Sequence, residues 1–76
     1  MKRIYVLTGR WVLIGETAFQ DSHVRLTDAS VIRRWGTTKG LGQIALEGPQ
    51  KETVLDACGT VTFPVSAILF SIDCAK

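Results

Sequence analysis

Four large apolar residues in a row, Trp11-Val12-Leu13-Ile14, sit in a chain of only 76 residues. In an extended strand successive side chains point to opposite faces, so Trp11 and Leu13 go one way and Val12 and Ile14 the other. Such residues fit a pleated surface better than a helix, and both faces of that strand then ask for cover. Ile68-Leu69-Phe70 repeats the demand further along. A chain this short buries only about 60% of the surface that its unfolded form exposes. The expected supplement is a second copy of the same chain, joined through open strand edges.

The rest of the chain reads as more strand. Arg3 to Leu7 and Trp11 to Ile14 are strands joined by a turn at Gly9, and Gly15 marks a bend or a close backbone approach. Val24 and Leu26 alternate with Arg25 and Thr27, which gives a period of two with one wet face. After Asp28 the apolar parity moves to Ala29, Val31 and Trp35, so a bulge or sharp bend is expected near Asp28. Gly36 to Gly42 reads as a loop, and Gln43 to Glu47 as one or two helical turns stopped by Gly48-Pro49. Thr53 to Leu55 reads as a short strand and Asp56 to Gly59 as a turn. Thr60 to Phe63 and Ala67 to Ile72 are strands around Pro64, which lacks an amide hydrogen and belongs at a strand edge or break. The expectation is one all-β domain over residues 1–76, a small five-stranded barrel with one short helix and an insert at about 36–57.

This pattern resembles the Sm-like and SH3-like small barrels. The first Sm motif is similar to Val6-Leu7-Thr8-Gly9-Arg10, then Gly15 and Asp21, then Val24, Leu26, Asp28 and Ala29. The other Sm motif resembles Val61-Thr62-Phe63-Pro64-Val65-Ser66-Ala67-Ile68, closing with Phe70 and Ile72. The resemblance implies ring-forming assembly and RNA binding. The family's RNA-contacting Asn is replaced in the region of His23 and Val24, and its Arg-Gly pair by Phe63-Pro64. Over its whole length the chain also resembles short proteins encoded by phages and prophages, through Val31-Ile32-Arg33-Arg34-Trp35-Gly36-Thr37-Thr38-Lys39-Gly40-Leu41-Gly42. That likeness implies a viral origin, a place in the host cytoplasm, and a regulatory or host-countering binder.

The same stretch holds the chemistry. Arg33, Arg34, Trp35, Thr37, Thr38, Lys39, Gly40 and Gly42 bring three cations, two hydroxyls, an aromatic plane and backbone free to approach an anion. Arginine makes bidentate bonds to phosphate, and Trp35 can stack on a base. The order of a P-loop is missing. These residues are expected to bind a small anionic ligand such as a nucleotide, including a cyclic nucleotide. They equally fit a structural role in which Trp35 is core and the arginines pair with Asp28 and Glu47.

Catalysis is poorly supplied. His23 lies beside Asp21 and Ser22, but neighbours in a turn do not build a triad. Cys58, Cys74 and one histidine do not make a zinc site. Cys58 reads as a small buried filler and both cysteines as free thiols. No catalytic residue, metal or cofactor is expected. The apolar run after Met1-Lys2-Arg3 reaches only Leu7, too short for a signal-peptide core or a membrane span. A cytoplasmic protein without a membrane partner is therefore expected. A formal net charge of +2 makes any attraction for polyanions local rather than global. The reading is a non-enzymatic homo-oligomeric binder, with an RNA-binding protein and a protein-binding inhibitor or virion accessory protein as alternatives.

Overall fold

A computed structural model describes residues 1–76. Five strands form one antiparallel sheet: β1 (Lys2–Leu7), β2 (Trp11–Gln20), β3 (His23–Arg34), β4 (Val54–Pro64) and β5 (Ile68–Asp73). Their spatial order is β4-β3-β2-β1-β5, so β4 and β5 are the edges. A helix, α1 (Leu41–Glu47), lies between β3 and β4, and a 3-10 turn over Val65–Ala67 joins β4 to β5. No helix is long and apolar enough to cross a membrane.

The sheet is strongly curled. In a flat sheet β1 and β4, three strands apart, would lie about 14 Å from each other. Yet the rings of Tyr5 on β1 and Phe63 on β4 meet edge to face with centroids 5.2 Å apart. The curl has a local cause at Gly15. There Asp28 and Ala29 of β3 stand opposite the single residue Gly15 of β2, and Asp28 adopts φ 51°. A Cβ on Gly15 would stand 3.1 Å from both Ala29 Cα and Thr27 O, so any other residue would push the two strands apart by a few tenths of an ångström. The bend and the parity change expected at Gly15 and Asp28 are one feature, a bulge that re-aims β3.

Alternation sorts the apolar residues onto two faces. The concave face gathers Tyr5, Leu7, Leu13, Val24, Leu26, Ala29 and Phe63. The opposite face gathers Ile4, Ile14 and Ile32 under Leu41, Ile44 and Ala45 of α1. Leu13 and Ile14 therefore serve different cores, and the face of Val12 and Ile14, where an interface between copies is one expectation of the sequence, is covered by the chain's own helix. The insert is thus a cover for the second face.

The curl does not close the sheet. Val65 N donates to Ser22 O at 2.9 Å and Thr8 N to Ala67 O at 2.9 Å, which ties the 3-10 turn to two hairpin ends. Within one chain no ladder joins β4 to β5. Two local expectations are corrected. Asp56 to Gly59 is not a turn but the middle of β4, with Cys58 as the extra residue between the pairs Ala29–Gly59 and Ser30–Ala57. Cys58 is also exposed rather than a buried filler, its thiol donating to Ala29 O at 3.4 Å. Pairing to β3 outweighs the turn preference of Asp56 and Gly59 because an irregular ladder absorbs one residue without breaking.

Candidate functional site

Arg33 and Arg34 close β3, and Arg34 stands opposite Val54 of β4. Arg33 is the extra residue of a further register shift, and its Nε meets Asp56 Oδ2 at 2.8 Å. Both partners are largely exposed, so this pair adds little stability. The expected partners Asp28 and Glu47 are not used. Arg34 and Lys39 are exposed and make no ion pair. Trp35 is 44% exposed and so is not core.

The loop that follows is held from both sides. Gly36 has φ 60°, and a Cβ there would fall 2.2 Å from the carbonyl carbon of Glu52, so the backbones of 36 and 52–53 are in direct contact. Next to that contact Thr53 Oγ1 donates to Trp35 O at 2.6 Å while accepting from Gln50 N at 2.8 Å. Further along, the Gln43 side-chain oxygen accepts from Thr38 N at 3.0 Å, Lys39 N at 3.1 Å and Thr38 Oγ1 at 3.4 Å. The backbone donors at Thr38 and Lys39 are therefore satisfied by the protein itself. Thr37 is half-buried, Gly40 precedes α1 with φ 82°, and Gly42 lies inside the helix; open space surrounds both glycines.

What the loop offers to a ligand is thus its side chains, Arg34, Trp35 and Lys39, on a backbone already ordered. Gln43 and Thr53, which do the ordering, escaped sequence reasoning. A signal for Gln43 exists, since glutamine three residues after a helix-capping position commonly reaches back to amides before the helix. One chain encloses no ligand-sized cavity around these residues.

Away from the loop, Arg3 forms a second polar cluster. Its Nε, shielded from water, faces Asp73 Oδ1 at 2.7 Å, and its guanidinium carbon lies 5.8 Å from the Phe19 ring centroid. The Tyr5 hydroxyl and then Asp73 raise the Arg3 pKa against the opposing effect of burial. Tyr5 also donates to Thr17 Oγ1 at 3.2 Å. Burial pushes the Cys74 thiol up, with Lys2 acting in the other direction. His23 is exposed at the start of β3, its Nδ1 3.5 Å from Ser22 Oγ.

No protein-family model matches the chain, and no curated protein matches it.

Proposed function

We propose that this chain is a non-enzymatic, homo-oligomeric binding protein of the Sm-like or SH3-like barrel type that takes a small anionic ligand such as a nucleotide. The observation that carries the ligand reading is the pairing of free charge with fixed backbone. Arg34 and Lys39 are exposed and unpaired, and Trp35 offers an open ring. The loop between them is locked by Gln43 and Thr53, so little ordering entropy remains to be lost on binding.

Assembly follows from the edges. β4 and β5 each leave a row of backbone groups unpaired, and Trp11, Leu69 and Phe70 remain 57%, 64% and 53% exposed. Joining β4 of one copy to β5 of the next uses both kinds of edge, whereas like-to-like pairing leaves one kind open. The strand order, the curl and the 3-10 link between β4 and β5 support the barrel reading. Arg34 and its neighbours border β4, so a second copy at that edge would add walls to a site that one chain leaves flat. In a phage setting, such a binder would hold a host nucleotide signal, a cyclic dinucleotide for example, in the host cytoplasm.

Titration of ATP and of a cyclic dinucleotide by calorimetry tests the reading. Saturable binding is expected, weakened by Arg33→Ala, Arg34→Ala and Lys39→Ala. Unchanged affinity in all three variants would remove the site. The barrel resemblance favours RNA as a second reading. Affinity for an RNA oligomer that falls steeply with salt, in the absence of mononucleotide capture, would select it.

A further inference from the structure

Helix α1 cannot stand by itself. It has seven residues, no side-chain cap, no acidic residue in its first turn and no basic residue in its last, and isolated helices this short are not stable in water. Packing of Leu41, Ile44 and Ala45 on Ile4, Ile14 and Ile32 supplies one hold. The segment after β5 supplies another. Cys74 N donates to Lys2 O at 3.1 Å, then Ala75 N and Lys76 N both donate to Ala45 O, at 2.7 and 3.3 Å. Lys2 Nζ in turn donates to Lys76 O at 3.1 Å. One carbonyl in the last turn of α1, of the kind that a helix leaves unpaired, thus takes two amides from residues 75 and 76. A Cβ built on Gly48, just beyond the helix, would stand 3.6 Å from Lys76 Cβ, so residue 76 passes close to the helix end.

The opposite end of α1 holds the loop, because Gln43 is the acceptor for Thr38 and Lys39. We infer that Cys74–Lys76 is a strap that fixes α1 on the sheet and, through Gln43, sets the shape of the loop carrying Lys39. When the strap lifts, α1 loosens and the loop loses its order while the curled sheet stays intact. The concave side of the sheet is independent in this respect, since its core contains no residue of α1 or of the strap, whereas Ile4, Ile14 and Ile32 on the other face lie under α1. The strap is therefore a means by which events at residues 74–76 reach the loop. Only this last consequence rests on the anion-binding reading.

Hydrogen exchange followed by NMR tests the inference on two variants. Ala75→Pro removes the 2.7 Å donor, and a second variant lacks Ala75 and Lys76; Ala75→Ser keeps the donor and serves as control. Both lesions are expected to speed exchange of the Gly48, Thr38 and Lys39 amides at least about tenfold, with the part of the β2–β3 ladder that pairs Thr17 to Gln20 with His23 to Leu26 unchanged and the control like the parent chain. Unchanged exchange at those three amides in both variants overturns the strap. Equal acceleration across β2 and β3 also overturns it, since the segment would then support the whole fold. ATP titration of the same proteins separates the two readings. If the parent chain binds ATP, the lesions should weaken binding at least about fivefold. If it does not, the ligand reading falls and the exchange result alone decides the strap.

Discussion

Three glycines within seven residues should respond to the same substitution in three different ways. At Gly36 an added methyl group would meet Glu52 C at 2.2 Å, Glu52 O at 2.3 Å and Thr53 N at 2.6 Å, all of them backbone. No side chain can swing aside, so the two segments must part. The φ of +60° adds a left-handed penalty of roughly 1–2 kcal/mol. Parting also weakens the 2.6 Å bond from Thr53 to Trp35 O, for about 1 kcal/mol more. Gly36→Ala should therefore cost about 2–3 kcal/mol. At roughly 4–8 °C per kcal/mol for a domain of this size, Tm should fall by roughly 8–24 °C. Gly40→Ala meets no atom but has φ +82°, so only the conformational penalty applies, about 1–2 kcal/mol. Gly42 lies inside α1 with open space around it, and Gly42→Ala should stabilise by about 0.5–1 kcal/mol. Urea unfolding followed by tryptophan fluorescence and far-UV circular dichroism ranks the three. Gly36→Ala within 0.5 kcal/mol of the parent, or Gly42→Ala less stable than Gly40→Ala, would refute the reasoning.

Other expectations concern the core, the thiols and the loop. Phe63→Ala removes the ring that meets Tyr5 across the concave face and should cost about 3–5 kcal/mol in urea unfolding, whereas Tyr5→Phe removes a hydroxyl that bonds Thr17 and faces Arg3 and should cost about 1 kcal/mol; a reversed order would contradict the packing of the concave core. Iodoacetamide at pH 8 should label exposed Cys58 before half-buried Cys74, whose thiol burial raises in pKa. Faster labelling of Cys74, read by mass spectrometry, would contradict that placement. The raised Cys74 pKa has a sign for stability: the folded state keeps its proton longer, so the contribution is complete below the unfolded thiol pKa and fades as pH rises through the folded one. Stability of the parent relative to Cys74→Ala should therefore decline only on the alkaline side, and a loss in acid would contradict it. Arg34→Ala should weaken ATP binding about 10- to 100-fold, the worth of one charge-assisted contact, and by more than Arg33→Ala, because Arg33 already answers to Asp56.

Much of this fold is legible in the residues where two patterns meet. The parity change at Asp28 and the lone Gly15 each point to an irregularity, and the structure joins them in one bulge because Ala29 needs the space above Gly15. The run Trp11–Ile14 shows that both faces of β2 need cover, but the residues point to a second copy, whereas α1 of the same chain covers the face of Val12 and Ile14. Asp56-Ala57-Cys58-Gly59 misleads, because Asp56 and Gly59 favour turns locally and only the ladder to β3 shows that a strand can carry them. The candidate loop is half legible. Its cations, its aromatic ring and its glycines are visible as residue types, but the contact of Gly36 with Glu52 links positions sixteen apart along the chain, and no local rule foretells it. The same holds for Ala75 on Ala45, a contact between the segment after β5 and a helix that the sheet brings together.

In the proposed assembly copies join because one chain leaves both sheet edges and the residues Trp11, Leu69 and Phe70 uncovered. Sedimentation equilibrium at micromolar concentration measures this directly. The account predicts a single mass of two or more times 8.3 kDa, in whole multiples, that persists on tenfold dilution. A species of 8.3 kDa alone across that range would contradict it.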